Sequence, residues 1–332
     1  MTRTDTIQPT YFISHGGRPW PWIPRMRAMF APLERSLRDM VAEWETPPRA
    51  ILMVSGHWEG ERVQVMGAAR PPMVYDYYNF PPHTYEVVYG APGAPDVAAR
   101  VMELLAGAGI AADLDTERGY DHGVFAPMEV MYPEADVPLL QVSILSSYDP
   151  AAHFALGRAL APLRREGVMI VGSGLSYHNL RLMGAEGAAP SAAFDAWLAE
   201  TMAMAPEART ARLMDWEQAP SARVCHPEED HLVPLFVALG AAEDEAAAQV
   251  YHDVEMMGSI TASGYRFGTV QGAARPLRRR RTLGGARAAP PDRARRAPHA
   301  RRPGAAPIKG RRLRGARPIP KMSGPIRSDS AG

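Results

Sequence analysis

Four short apolar segments, separated by longer segments with helical periodicity, constrain the fold of this chain more than any other feature. Each apolar segment is bounded by turn-forming residues, as buried strands are, and they cover residues 11–14, 50–55, 139–144 and 168–172. Predicted helices cover residues 25–43, 95–108, 127–131, 151–165, 192–204 and 231–240. Strands that alternate with helices predict a single α/β domain, with a central mostly parallel or mixed sheet flanked by helices.

The composition excludes several classes of protein. Hydrophobic residues make up 46% of the chain and charged residues 22%, which allows a core of ordinary size. No apolar run is long enough to span a bilayer, and no apolar signal segment opens the sequence, so we expect a cytoplasmic protein without a membrane partner. Cys225 is the single cysteine, which excludes a thiolate cluster, so any metal would need His, Asp or Glu ligands.

Charge is distributed unevenly along the chain. Residues 275–332 hold 18 of the 37 Lys and Arg but 2 of the 36 Asp and Glu, so their formal charge is +16 against −15 for the rest. We therefore divide the chain into a folded domain, 1–270, and a basic tail, 271–332, whose Arg, Ala, Pro and Gly content predicts disorder. Such a tail could bind nucleic acid, but it has no aromatic residue after Pro276 for base stacking, so we do not expect nucleic acid as a partner.

Histidines follow three of the predicted strands. His15 comes after the first, His57 after the second behind Gly56, and His178 a few residues beyond the fourth. In open α/β sheets ligands bind beyond the carboxyl ends of the strands, where glycine lets the backbone approach closely. The sequence therefore predicts a metal site at the C-terminal ends of the strands.

Further histidines lie in two other segments. His122 stands in "GYDHGVF", and His226 and His231 flank three acidic residues in "CHPEEDHLVPL", where an acidic side chain could also simply cap the following helix. A histidine-rich site without thiolates suits Fe(II) or Zn(II) equally. Fe(II) with open coordination positions would serve O₂ chemistry, and Zn(II) with bound water would serve hydrolysis, so both remain open at this point.

At these residues the sequence resembles a known family. The matching segments are "FISHGG", "SGHWE", "YDYYNFPPHTYEVVYGAPG", "GYDHGVFAPMEVMYPEADVPLLQVSI", "GSGLSYHNL" and "HPEEDHLVPLFVALGAA". In order and spacing they resemble the class III extradiol ring-cleavage dioxygenases, most closely the DOPA 4,5-dioxygenase-like branch. The resemblance covers residues 11–268 and implies that 1–270 is a catalytic domain with one non-haem divalent metal, Fe(II) for activity or Zn(II) as found.

The resemblance also implies roles for single residues. The metal ligands would be His15, His57 and His231, His178 would be the acid–base residue, and His122 would help to hold the substrate. The implied activity is the opening of a catechol ring by O₂, outside the two hydroxyls. The segment 75–89, rich in aromatic residues and proline, would form part of the pocket wall or pack over the edge of the core.

Two departures from the family pattern leave alternatives open. The wider superfamily has a carboxylate as third ligand, so Glu229 or Asp230 could replace or support His231. Arg18 stands where the family commonly has proline, and it either alters the charge at the pocket mouth, by pairing a substrate carboxylate, or is solvated surface. His226 is assigned a supporting role beside the third ligand. The alternative functions are a zinc-dependent hydrolase and a non-enzymatic ligand-binding protein on the same scaffold.

Overall fold

The predicted sheet is present in the computed structural model, which describes residues 7–44 and 47–270. Within these ranges eight strands form one mixed sheet in the order β4-β3-β5-β2-β6-β1-β8-β7. The strands are β1 (Thr10–Ser14), β2 (Ala50–Gly60), β3 (Val63–Met66), β4 (Ala112–Asp115), β5 (Leu139–Leu145), β6 (Val168–Gly174), β7 (Ala247–Met256) and β8 (Ile260–Phe267). The tail 271–332 lies outside the described residues, so its predicted disorder stays a prediction.

The four predicted strands form the centre of the sheet. β5, β2, β6 and β1 are neighbours and run parallel, while β8 joins β1 and β3 joins β5 in antiparallel orientation. Every residue of β1 and β6 is buried, which explains why these strands are nearly continuous apolar runs. The carboxyl ends of β1, β2 and β6 consequently meet at one edge of the sheet, as the sequence predicted.

Helices cover both faces of the sheet. In the described ranges the α-helices are α1 (Pro24–Met29), α2 (Ala31–Ala42), α3 (Pro95–Gly107), α4 (His122–Met131), α5 (Pro150–Leu160), α6 (Ala188–Met202), α7 (Pro206–Met214), α8 (Ala222–Cys225) and α9 (Val233–Gly240). Successive strand residues point to opposite faces. A Cβ on Gly172 would lie 2.2 Å from the carbonyl oxygen of Pro234 at the start of α9, whereas the hydroxyl of Ser173 donates to the carbonyl of Gly123 in α4.

Proline accounts for two differences between the predicted and observed helices. The predicted helix 25–43 is divided at Phe30. Pro32 in the first turn of α2 has no backbone N–H, so it cannot donate a hydrogen bond to a carbonyl of the preceding turn. The predicted helix 127–131 begins earlier, at His122, with Pro127 inside it. Pro127 leaves the carbonyl of Gly123 without its helical donor, and Ser173 supplies a hydroxyl instead.

No helix in residues 7–44 and 47–270 combines the length and apolar character needed to cross a membrane.

Candidate active site

The structure brings the five predicted site histidines together at one edge of the sheet. His15 directly follows β1, His122 begins α4, His178 lies four residues beyond β6, and His231 lies two residues before α9. The ring centroid of His15 is 5.0 Å from that of His57, 5.1 Å from that of His231 and 5.3 Å from that of His122. His178 stacks on His231 with 3.4 Å between the centroids.

An irregularity in β2 positions His57. The pairing of β2 with β5 is regular as far as Ser55 and resumes, with a shifted register, at Glu59. Gly56 and His57 therefore lie in a bulge, which turns the strand end and re-aims its side chains. A Cβ on Gly56 would lie 2.6 Å from the backbone oxygen of Asp230, so only glycine fits this close approach.

Asp230 contacts two of the histidines. Its Oδ2 is 2.7 Å from Nδ1 of His231, and its Oδ1 is 3.3 Å from Nδ1 of His178. Burial alone would raise the pKa of this carboxyl, but the hydrogen bonds with both imidazoles hold it well below its usual range. Glu229 instead pairs with Arg223 at 2.6 Å, so Asp230 is the one of these two acidic residues that contacts His231.

Asp76 is the carboxylate in contact with His57 and His122, as Asp230 is for His178 and His231. It was not among the residues predicted from the sequence. One carboxylate oxygen lies 2.8 Å from Nδ1 of His122, and the other lies 3.4 Å from Nδ1 of His57. Burial opposes the charge of Asp76, but the contacts with His122 hold its pKa below the usual value. The only signal in the sequence was an acidic residue within the aromatic segment 75–89.

The donor set fits a metal ion. Nε2 of His57 lies 3.1 Å from Nε2 of His231, while the Nδ1 atom of each ring faces its own carboxylate. Both ring nitrogens of His15 are buried without a hydrogen-bond partner among the described residues. Buried polar atoms normally have a partner, and carboxylates that orient imidazoles through Nδ1 are typical surroundings of metal sites.

Two neighbouring groups of donors are close enough to hold a metal. One group is His15, His57 and His122, and the other is His178, Asp230 and His231; in each, the donor atoms lie within 4.8 Å of one another. The predicted ligands take two residues from the first group and one from the second.

Burial keeps the imidazoles neutral. It lowers the pKa of His15 and of His57 well below the ordinary value, and neighbouring imidazoles lower it further. The pKa of His231 falls to about 4, because burial outweighs the opposing effect of Asp230. Near neutral pH these three rings therefore present lone pairs, as metal ligation requires.

Comparisons with known proteins agree with this geometry. Residues 13–268 match the family described as the catalytic LigB subunit of aromatic ring-opening dioxygenase. The chain belongs to this family. It is an extradiol aromatic ring-opening dioxygenase, and membership implies dependence on a metal and use of a catechol and O₂.

Several relatives of this dioxygenase have been described. It is 38% identical to a 4,5-DOPA dioxygenase extradiol from Beta vulgaris over 80% of this chain and 99% of that protein. It is 37% identical to the dioxygenase tasH from Hapsidospora irregularis over 74% of this chain and 82% of that protein. The crystal structure of an uncharacterized protein from Escherichia coli K12 matches with a TM-score of 0.64 at 30% identity, covering 79% of this chain and all of that one.

A cleft of about 540 Å³ opens beside the histidines of the dioxygenase, and all five of them line it. This volume suits a small ligand with one aromatic ring. Of the segment 75–89, Asp76 and Phe80 line the cleft, whereas Tyr75 and Tyr77 pack against Phe125. Some residues of the aromatic segment therefore form part of the pocket wall, and others pack over the core, so each of the two predictions holds for different residues.

A buried hydrogen-bond network in the dioxygenase holds the backbone of His57. Asp121 is fully buried and accepts hydrogen bonds of 2.8 Å from each of Ser55, Arg118 and Gln141. Ser55 in turn accepts from the backbone N–H of His57 at 3.2 Å. Burial raises the pKa of Asp121, and Arg118 opposes that rise. This aspartate lies within "GYDHGVF" but was given no role from the sequence.

His226 does not line the cleft. Its Nε2 lies 3.0 Å from the carbonyl oxygen of Ser176, and its ring packs edge-on against Phe194 and Trp216. Burial lowers its pKa to about 3. His226 therefore does not act beside His231 as predicted. It contacts the segment that leads from β6 to His178 instead.

Proposed function

We propose that this chain is a metal-dependent extradiol dioxygenase that opens the ring of a DOPA-like catechol with O₂, and that residues 1–270 carry the activity. The observation that carries the proposal is the facing pair of Nε2 atoms in His57 and His231, each ring oriented by a carboxylate through Nδ1. The relatives named 4,5-DOPA dioxygenase extradiol support the choice of substrate. The family match ends at residue 268, which supports the domain boundary.

We assign His15, His57 and His231 as the metal ligands. His15 supports this because its buried nitrogens have no other partner among the described residues. Bound Fe(II) would supply a Lewis-acidic, redox-active centre at which a catechol and O₂ can react. Zn(II) suits the same imidazoles and would occupy the site in a purified sample without supporting O₂ chemistry.

His178 is assigned as the acid–base residue. Asp230 lies against its Nδ1, which leaves Nε2 to take a proton from a catechol hydroxyl and return it later. The stack on His231 fixes the plane of the ring beside the proposed metal ligands. His178 lines the cleft, so a substrate there can reach it.

His122 is assigned a role in holding the substrate. Asp76 accepts from its backbone N–H at 3.0 Å, and its carboxylate lies 2.8 Å from Nδ1 of the ring, so Nε2 is left for a substrate oxygen. The lining of the cleft also includes the apolar side chains of Leu175, Met183 and Met256. These side chains would receive the aromatic ring and exclude water from the reacting carbons.

Oxygen consumption tests the proposal. The apo-protein is loaded anaerobically with Fe(II) and mixed with aerated DOPA or 4-methylcatechol, and O₂ uptake is followed together with absorbance of the yellow ring-opened product. We expect uptake with the wild type, and loss of uptake in His178→Ala with iron content unchanged. His252→Ala is the matched control, because His252 is partly exposed and does not line the cleft.

The outcomes separate the alternatives. Absence of uptake with every catechol at one iron per chain would overturn the proposal and favour a zinc-dependent hydrolase or a ligand-binding protein. Loss of iron from His178→Ala would instead place His178 among the ligands. Retention of uptake in a chain ending at residue 270 would support the domain assignment.

A further inference from the structure

The cleft contains one permanently charged cation. Of all arginines and lysines in residues 7–44 and 47–270, Arg18 is the one that lines it. The two carboxylates of the cleft, Asp76 and Asp230, are each engaged by two imidazoles. Neither carboxylate forms an ion pair with Arg18 in the described ranges, so its guanidinium is the charged group of the cleft that can pair with an anionic ligand.

Arg18 has no ionic partner in the described part of the chain. Its partly buried guanidinium lies over two aromatic rings instead, 5.4 Å from the centroid of Tyr78 and 5.7 Å from that of Phe80. Aromatic faces attract a guanidinium but leave its N–H groups free at the edge. Those donors remain available to an incoming anion.

The backbone around Arg18 is held firmly. Arg18 has a φ of 55°, a left-handed conformation that a non-glycine residue adopts only when its surroundings impose it. Trp20 imposes it, because this fully buried residue donates from its backbone to the carbonyl of Arg18 and from Nε1 to the carbonyl of His15, both at 2.9 Å. The position of Arg18 is thereby tied to that of a proposed metal ligand three residues away.

The two aromatic rings beneath Arg18 lie in the same chain segment as Asp76. Tyr78 and Phe80 follow Asp76 by two and four residues, and Asp76 orients His57 and His122. The segments 15–20 and 76–80 therefore supply His15 and Asp76 to the histidine site, and they also supply Arg18 and the two rings beneath it. This arrangement places the cation and the histidines in the same cleft, as recognition of two ends of one molecule requires.

We propose that Arg18 recognises a carboxylate on the side chain of the substrate, so that the enzyme prefers catechols bearing an anionic side chain over neutral catechols. This inference rests on the proposed function, since it needs a catechol bound at the histidines. Guanidinium and carboxylate groups form two parallel hydrogen bonds, and such a pair is strong where the guanidinium is partly desolvated. The aromatic rings pre-order Arg18, which lowers the entropy lost on binding.

The experiment compares two substrates of nearly equal size, one with an anionic side chain and one with a neutral side chain. Wild type, Arg18→Gln, Arg18→Lys and the control Arg25→Gln are loaded with Fe(II), and kcat and KM are measured with 3-(3,4-dihydroxyphenyl)propanoate and with its methyl ester. Arg25 is exposed on α1 and does not line the cleft. Dissociation constants of both compounds for the Zn(II)-loaded proteins are measured anaerobically by calorimetry, which needs no turnover.

For Arg18→Gln we expect the KM and dissociation constant of the acid to rise about 10- to 100-fold, with kcat little changed. The same constants for the ester should stay within about twofold of the wild type, Arg18→Lys should recover part of the loss, and Arg25→Gln should behave as wild type. Equal effects on acid and ester would overturn the inference and indicate a structural role. Cleavage of both compounds with equal KM by the wild type would also overturn it. Cleavage of neither compound, with no O₂ uptake with DOPA either, would instead overturn the proposed function, and the dissociation constants would still test Arg18.

Discussion

Nε2 of His57 lies 3.1 Å from Nε2 of His231, although 174 residues separate the two in sequence. Each ring has its other nitrogen against a carboxylate, Asp76 for His57 and Asp230 for His231. A carboxylate at Nδ1 favours the tautomer whose lone pair is on Nε2, so the two lone pairs face each other. This is the arrangement that a shared cation requires.

The first prediction concerns Asp230. Asp230→Asn removes the charge that orients His231 and His178 and replaces it with an amide that accepts more weakly. We expect the affinity for Zn(II) to fall about 10- to 100-fold, measured by competition with a chromophoric chelator. Glu228→Gln is the control, because Glu228 is exposed and does not line the cleft. Unchanged affinity in Asp230→Asn would show that this carboxylate does not support the metal site.

Much of the fold could be predicted because burial leaves a clear pattern. β1 and β6 are buried on both faces and read as apolar runs, so their ends, and with them His15, could be placed from sequence. β3 and β4 have four residues each and β4 is largely exposed, so no comparable pattern marks them. Neither a short strand nor an exposed one differs in sequence from a loop.

The strand pattern placed only the site residues that follow predicted strands, and the others were assigned from the family resemblance. Asp76 lies in a loop without periodicity, and its role depends on contacts with His57 and His122 that form only when three separate segments pack together. From the sequence, Arg18 could either pair with a substrate carboxylate or be solvated surface. Its position over Tyr78 and Phe80 follows from tertiary structure alone. His226 stands five residues from His231 in the chain, yet it turns away from the cleft.

The second prediction concerns close backbone contact at the end of β6. A Cβ on Gly174 would lie 2.1 Å from the carbonyl oxygen of His231, and backbone atoms there cannot move without displacing the histidine. Gly174→Ala should therefore lower the free energy of unfolding by about 1–3 kcal/mol and weaken Zn(II) binding. Chemical denaturation of the metal-free protein and chelator competition measure the two effects.

Gly107→Ala is the control for this substitution. Gly107 ends α3, and a Cβ there would meet nothing within 4 Å. Alanine should stabilise this helix by up to about 1 kcal/mol without an effect on metal binding. If Gly174→Ala matched this control, the contact with His231 would not constrain the site.

The third prediction concerns the buried charge beneath His57. Arg118→Gln removes the cation that accompanies the fully buried Asp121. An uncompensated buried carboxylate is costly, so we expect a loss of about 3 kcal/mol in the free energy of unfolding. The control is Arg62→Gln, because the pair of Arg62 with Asp113 is half exposed and should contribute less than about 1 kcal/mol. Equal losses in the two variants would contradict the prediction.

The fourth prediction is a pH dependence of stability due to His226. Burial lowers its pKa to about 3 in the folded protein, against about 6.5 in the unfolded chain. Between these values the unfolded state binds the extra proton, so stability decreases as the pH falls through this window. One such group contributes a loss of about 1 kcal/mol between pH 6.5 and pH 5.5.

His226→Gln isolates this contribution, because the other buried histidines titrate equally in both proteins. Glutamine can still donate to the carbonyl of Ser176, but it does not titrate. We therefore expect the metal-free wild type to lose about 1 kcal/mol more than the variant between pH 6.5 and pH 5.5, measured by urea denaturation at each pH. Equal losses would mean that His226 binds a proton in the folded state. The hydrophobic contacts with Phe194 and Trp216 would then not keep the ring neutral.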